Sequence, residues 1–324
     1  MPYVTLIAMM VLIFMNGFTD APNAITTVVA TKVLPFKKAA RWSAIFNLLG
    51  IFMMCRISFK VADGISSIVV LNGGKLGLIV ILSSMISCII FSGIASVLGI
   101  PTSETHGLIA GLTGSAIVVG DFQQVNKIEW LYVILGLIWS ILGCLIIVKL
   151  ISVFENRLYQ MDLKRIKIFQ RCSSYGLSFM HGAQDGQKFI GLVMLYFCII
   201  KGNDQATTLM ENIWIIIFVA MIMFWGVSVG GRKIVENIGT HTVELDNVKG
   251  IVSDIATIMT LFLASLFGFP VSTTHVKTMS IIAFQNNASP SKKMIPIFQA
   301  WIWTFPVCFG MSYLMAKILL ASLY

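Results

Sequence analysis

Residues 181 to 188 read His181-Gly182-Ala183-Gln184-Asp185-Gly186-Gln187-Lys188 and interrupt an otherwise apolar stretch. Apolar runs flank them on both sides, roughly Tyr175 to Met180 and Phe189 to Ile200. An Asp or a Lys at bilayer depth costs about 2.5–3.5 kcal/mol on insertion scales, so such residues mark a working site. The two glycines, Gly182 and Gly186, weaken a helix where the polar groups concentrate. The stretch predicts a broken transmembrane helix that lines a transport site.

Composition agrees with a membrane setting. The chain has 324 residues, of which 57% are hydrophobic and 11% charged, with a mean hydropathy of +0.88. A soluble domain carries about 25% charged residues. The apolar runs approach or exceed the ~20 residues of a spanning helix, without the alternation of a barrel strand, so the chain reads as an all-α polytopic membrane protein. Much of the net charge of +9 sits in short loops, where it is a topology signal rather than a nucleic-acid surface. The six cysteines (55, 88, 144, 172, 198 and 308) are scattered without a C-x-x-C and read as buried small hydrophobes. The first segment lacks the basic n-region of a signal peptide, so it is expected to stay in the mature protein.

Apolar segments run approximately 3–31, 42–55, 76–98, 100–120 and 129–151, then 174–200, 212–230, 250–267, 269–284 and 294–321. A basic stretch containing Arg157, Lys164, Arg165, Lys167 and Arg171 divides them five and five, and the halves resemble each other. Gly17-Phe-Thr-Asp20-Ala-Pro22-Asn23-Ala-Ile25 corresponds to Gly182-Ala-Gln-Asp185-Gly-Gln-Lys188-Phe-Ile190 at an offset of 165. Gly99-Ile-Pro101-Thr-Ser103-Glu104-Thr105-His106 corresponds to Gly268-Phe-Pro270-Val-Ser272-Thr273-Thr274-His275 at an offset of 169. Two motifs recurring in the same order make the chain an internal duplication. The first repeat is placed at 1–154, with a broken helix at 3–31 and a hairpin at 76–120. A basic cytoplasmic loop follows at 155–173, then a second repeat at 174–324 with a broken helix at 174–200 and a hairpin at 250–284.

An odd number of segments per half gives the second repeat the opposite orientation. Lys32, Lys37, Lys38 and Arg41 make the first loop basic and hence cytoplasmic. Counting onward puts 155–171, Lys292 and Lys293 inside, and Lys201, Asp204, Glu211 and both termini outside. Arg56 and Lys60 break the rule. Each Pro-x-Ser-x-Thr-His turn joins two apolar arms without a charged loop, so both pairs are read as re-entrant hairpins with polar tips at mid-membrane. Irregular backbone is tolerated there against protein or a cavity.

Two such tips facing two interrupted helices suit an oxyanion. Ser103, Thr105, Ser272, Thr273 and Thr274 offer hydroxyl donors, and the helix after each tip points its N–H groups toward the centre. Ser and Thr at a helix start are also plain N-caps. Asp20 and Asp185 are corresponding acids that need a cation, a proton or a donor partner, for sodium or proton coupling. Lys188 corresponds to Asn23; its ammonium is read as standing in for a cation, pairing with the anion, or neutralising Asp185 at i−3. Glu104 is an extra acid, read as a proton carrier or a partner of Lys188. His106, His181 and His275 are expected to hold the tips through hydrogen bonds, with no metal: His181 and Asp185 at i, i+4 supply only two ligands. Arg232, Lys233, His241 and Asp246 read as an ordinary cytoplasmic loop, and Asp254 as interfacial.

At these residues the chain resembles the PiT family of inorganic phosphate transporters. Gly17-x-x-Asp20-x-x-Asn23-Ala24 and Gly182-x-x-Asp185 are similar to the family's duplicated Gly-Ala-Asn-Asp signature, and the two tips to its hairpin sequences. The resemblance implies symport of inorganic phosphate driven by sodium or protons, through an inverted-repeat domain in a homodimer. It implies a cation or coupling region at Asp20, Asn23 and Asp185, beside which Gln184 is placed by its position next to Asp185, and phosphate binding at Ser103, Thr105, Ser272 and Thr274. The 181–188 stretch is similar to the bacterial low-affinity branch, which implies proton coupling and carriage of phosphate as a metal–phosphate complex. Thr19 and Gln184 replace the family's Asn before each Asp, Lys188 replaces Asn, and Glu104 replaces Ser or Thr. These departures bear on sodium coupling more than on fold.

The reading is a secondary active transporter, not an enzyme. It imports inorganic phosphate across the cytoplasmic membrane by cation symport with alternating access, without cofactor, in a lipid bilayer. A sulfate permease on the same scaffold is the nearest alternative. An intramembrane metallohydrolase is more remote, because no H-E-x-x-H-like spacing accompanies His181 and Asp185.

Overall fold

The first helix, α1 (Pro2–Thr19), stops at Asp20 and gives way to a 3-10 turn, Ala21–Ile25, before α2 (Thr26–Ala30) resumes. Pro22 makes the break: it has no N–H for the α-helical ladder, and its ring clashes with the carbonyl four residues back. The expected interruption of 3–31 is therefore present. The computed structural model describes residues 1–71, 73–201, 212–241, 245–284 and 294–322. Asp204, Glu211, Lys292 and Lys293, used above for orientation, lie outside these residues, as does the side chain of His241.

The second interruption is absent. Residues Leu163–Lys201 form one unbroken 39-residue helix, α10. The glycines of 181–188 serve close packing rather than a break. A Cβ at Gly182 would run into the backbone of Asn47, and one at Gly186 into the Ile51 side chain, both on α3 (Phe36–Ile57). On the facing helix, a Cβ at Gly50 would collide with the Phe179 carbonyl. Without a proline the ladder survives, and tertiary contact outweighs the glycine penalty of about 1 kcal/mol per residue. The basic segment 155–173 is likewise not a loop: it comprises α9 (Glu155–Tyr159) and the first three turns of α10.

Both hairpins form. In the first, α5 (Lys75–Leu98) ends at Gly99 in the left-handed region (φ 70°), and α6 (Glu104–Gly120) starts behind Ser103. In the second, α13 (Asn247–Phe267) ends at Gly268 (φ 81°) and α14 (Thr273–Ile282) starts behind Ser272. Glycine stands at both C′ positions because a Cβ disfavours that backbone conformation. Ser103 and Ser272 accept from the backbone N–H of His106 and His275, each at 3.2 Å, so both serines are N-caps. The sequence repeat is thus a repeat of turn geometry.

The rest of the fold encloses these parts. Short α4 (Lys60–Ser66) follows α3; α7 (Lys127–Ile138) continues through a π turn, Trp139–Gly143, into α8 (Cys144–Ser152). After α10 come α11 (Ile213–Val229), α12 (Arg232–His241) and, behind the second hairpin, α15 (Ile295–Ala321). Among the described residues, six segments are long and apolar enough to cross a bilayer: Pro2–Ala30, Phe36–Ile57, Lys75–Leu98, Lys127–Ser152, Asn247–Phe267 and Ile295–Ala321. The chain is a multi-pass integral membrane protein. Arg232 begins a helix rather than a loop and pairs with Glu236 at 2.7 Å. Lys60, an exception to the charge pattern, donates to the Leu266 carbonyl at 3.0 Å, near the end of α13.

The two largest apolar cores among the described residues divide the fold. One gathers α1, α3, the first hairpin, the second half of α10 and α11, around Leu12, Met85, Leu108, Leu192 and Met223. The other gathers α8, the first half of α10, the second hairpin and α15, around Ile147, Leu177, Leu261, Val276 and Trp301. Buried polar side chains of both hairpin tips, α1 and α10 collect between them.

Candidate functional site

The break after α1 and the middle of α10 bring Asp20 and Asp185 together. The Asn16 side-chain amide donates to both carboxylates, at 3.3 Å to Asp20 and 3.1 Å to Asp185. Asn16 corresponds to His181 at the 165 offset. His181 Nε2 stands 3.3 Å from the Asp185 carboxylate, and its Nδ1 lies 2.7 Å from Asn47 Oδ1. Both acids are shielded from solvent, at 4% and 0% exposure.

The tips close on these acids. Lys188 Nζ donates to Asp185 Oδ1 at 2.6 Å, to Thr105 Oγ1 of the first tip at 2.7 Å, and to the Val271 carbonyl of the second at 2.7 Å. A carboxylate, a hydroxyl and a backbone carbonyl converging on one point form an oxygen set that suits a small cation, and here they surround an ammonium. In the other half, Thr274 donates to Asp20 at 3.0 Å and accepts from the Asn23 amide at 2.8 Å. Thr273 donates to Asp185 at 3.4 Å.

Glu104, the unmatched acid of the first tip, accepts from Thr19 at 2.6 Å, and its second oxygen has no partner among the described residues. Lys188 pairs with Asp185 rather than with Glu104. Gln184 is not on the carboxylates: it donates to the Phe269 carbonyl at 3.0 Å and accepts from Ser265, so it braces the second hairpin. His106 and His275 also differ from expectation. Their rings meet at 4.9 Å with a tilt of 52°, with Phe305 stacked on His106 and Trp301 at 3.9 Å from His275, and none of the four ring nitrogens finds a hydrogen-bond partner among the described residues. Packing, not hydrogen bonding, joins these residues behind the tips.

Ser103, Thr105 and Ser272 act here only as acceptors. Each therefore keeps an O–H donor without a protein acceptor among the described residues. Two helix N-termini, α6 and α14, start at the same place, and their N–H groups favour an anion. Among the described residues, no three His, Cys, Asp or Glu side chains gather as a metal site. The arrangement combines donors for an oxyanion with carboxylates for cations.

Sequence reasoning misses three contributors. Asn16 is one, recoverable from its correspondence to His181. Asp254 is fully buried rather than interfacial, and pairs with Lys277 at 2.6 Å. The insertion-cost argument that marks Lys188 applies equally to Lys277 inside the 269–284 run.

A profile of the phosphate transporter family (PHO4) matches residues 16–166 and 148–312. A "Probable low-affinity inorganic phosphate transporter" of Bacillus subtilis (strain 168) is 29% identical over 308 residues, covering 91% of this chain and 90% of that protein. A protein of the same description from Mycobacterium bovis is 26% identical over 83% of this chain, which spans 64% of its length. A solved structure titled "The sodium-dependent phosphate transporter" superposes with a TM-score of 0.81 at 19% identity, covering 98% of each chain. That likeness speaks for the fold.

Proposed function

The chain belongs to the phosphate transporter family, and on that premise we propose that it imports inorganic phosphate across the cytoplasmic membrane by cation symport. The observation that carries this reading is the convergence of two hydroxyl-bearing tips on a buried site with three carboxylates and one ammonium. The tips provide what an oxyanion needs: the O–H groups of Ser103, Thr105 and Ser272 and two helix N-termini. The carboxylates repel an unaccompanied anion. Three acids facing one lysine favour entry of phosphate together with a further cation or proton, which is the electrostatic basis of symport.

Lys188 supplies one of the positive charges from within the protein, in a set of oxygens that suits a sodium ion. The mobile cation then belongs to the Asp20 half, where Asn23 Oδ1 is buried without a partner among the described residues, beside the Thr274 hydroxyl. A proton on Asp20 or Glu104, or a sodium ion beside Asn23, serves this role. The duplicated motifs support an inverted repeat, and the basic α2–α3 and α9–α10 segments support a cytoplasmic placement of that face. Alternating access follows from the two hairpins exposing the shared site to opposite faces in turn.

Uptake of labelled phosphate into proteoliposomes, under separate sodium and pH gradients, tests the reading. Accumulation of phosphate under one of the two gradients is expected, with competition by excess unlabelled phosphate. Competition by excess sulfate and not by phosphate would make the chain a sulfate permease instead.

A further inference from the structure

We propose that Lys277 is a second anion station, one helical turn toward the cytoplasm from the second tip, and that Asp254 is the internal anion that holds it between substrate passages. The proposal rests on the phosphate reading and deepens it, because the ligand is the same tetrahedral oxyanion in transit.

Lys277 is 1% exposed and Asp254 is not exposed at all. The Lys277 ammonium donates to Asp254 Oδ1 at 2.6 Å and to Ser253 Oγ at 2.9 Å. Of its three N–H donors, two are thus taken by protein groups. Lys277 follows Thr273 by four residues and Thr274 by three on α14, so it shares their helix face. Those threonines bind Asp185 and Asp20. An anion leaving the tips along this face meets Lys277 next.

The ion pair opens onto a hydrogen-bonded trail to the surface. Asp254 accepts from Thr27 on α2 and from Ser173 on α10, both at 2.8 Å. Gln170 donates to the Thr27 carbonyl at 3.3 Å, and half-buried Asn247, at the start of α13, donates to Gln170 at 2.6 Å. This trail lies on the side that the basic segments mark as cytoplasmic.

Among the described residues, the other half of the molecule has no such trail. The 169 offset matches Asp254 with Met85, Lys277 with Leu108 and Asn247 with Leu78, and the 165 offset matches Thr27 with Leu192. All four are buried in one apolar core. Gln170 is matched by a polar residue, Thr5, whose hydroxyl turns back to the Met1 carbonyl. The hairpin fold therefore does not need an ion pair at this position. A buried pair also gives little stability over well-packed apolar residues of similar volume. A cost carried on one side only fits a task on that side: receiving a desolvated anion whose other contacts are being given up.

The test compares the two faces of the full-length protein, using labelled inorganic phosphate with right-side-out and inverted membrane vesicles. Asp254→Met with Lys277→Leu installs the pair found in the first hairpin. It is expected to raise half-saturating phosphate at the cytoplasmic face by about tenfold, the weight of one charge-assisted contact, and to shift the external face less. Asp254→Asn, which frees Lys277 from its internal anion, is expected to lower the cytoplasmic value several-fold, and for either variant the half-saturating concentration is read on whatever protein inserts, since it does not depend on the amount. Equal shifts at both faces, or no shift at the cytoplasmic face, would overturn the station while wild-type uptake upheld the phosphate reading. Absence of wild-type phosphate uptake would overturn that reading itself.

Discussion

Asn23 and Lys188 hold corresponding places in the two halves and bond to corresponding threonines, Asn23 to Thr274 at 2.8 Å and Lys188 to Thr105 at 2.7 Å. The halves thus share a frame but not a charge. Where the first presents a neutral amide, the second carries its own cation. On the proposed reading, an ammonium among a carboxylate, a hydroxyl and a carbonyl stands where an ion would otherwise be taken up with each substrate. Lys188→Asn should restore the symmetric frame and make transport depend on an added monovalent cation at this second position. Uptake measured across a sodium titration checks this, and an unchanged cation requirement would refute the tethered-cation idea. Lys188→Met, with neither charge nor oxygen, should abolish uptake at every sodium concentration.

The ring pair behind the tips makes a separate prediction. His106 and His275 meet in an aromatic cluster and leave four buried ring nitrogens without partners among the described residues. Replacing a buried group that has no partner by an apolar one of similar shape is nearly neutral or stabilising. His106→Phe and His275→Phe should therefore keep thermal stability in detergent within about 1 kcal/mol of wild type. A loss of several kcal/mol in either variant would mean that the ring nitrogens bond to something the packing does not explain.

Legibility in the sequence differs from place to place for physical reasons. The hairpins were readable because Gly-x-Pro-x-Ser is local chemistry: the left-handed cap at Gly99 or Gly268 and the serine N-cap act within a few residues. The break at Asp20 was readable from Pro22. The supposed break at 181–188 was not a break, because Gly182 and Gly186 answer to Asn47 and Ile51, contacts that no local pattern announces. The ionisable side chains in that stretch are met by pairing, Lys188 with Asp185 and His181 with Asn47, rather than by unwinding. Gln184 turned to Ser265 and Phe269 for the same reason: a long amide follows the nearest partner, which only packing defines. Asp254 and Lys277 lie 23 residues apart on opposite arms of a hairpin, so each looks solitary until the arms are laid side by side.

The close approach of α10 and α3 can be tested at its glycines. A methyl at Gly182 or Gly50 runs into the facing backbone, which cannot yield as a side chain can. Gly182→Ala and Gly50→Ala should each destabilise the protein by about 1–3 kcal/mol, the usual cost of overpacking, visible as a lower melting temperature and less protein in the membrane. Gly310, in α15, is the control: a Cβ there meets nothing within 4 Å. Gly310→Ala should be neutral or stabilise by up to about 1 kcal/mol through helix propensity. Tolerance of alanine at Gly182 would show that the helix contact relaxes more easily than its geometry implies.

The two carboxylates should respond differently to the same chemical change. Asp185 is ion-paired with Lys188 at 2.6 Å, whereas Asp20 is held by neutral donors, Asn16 and Thr274. Removing one member of a buried ion pair strands the other charge and costs about 3–5 kcal/mol. Asp185→Asn is therefore expected to lower both thermal stability and uptake. Asp20→Asn strands no cation, so it should leave stability near wild type while abolishing cation-coupled accumulation of phosphate. Measuring melting temperature and uptake on the same preparations separates the two effects. Full transport by Asp20→Asn would remove that carboxylate from the coupling step. A stable Asp185→Asn protein would show instead that Thr105 and the Val271 carbonyl suffice to hold the Lys188 ammonium.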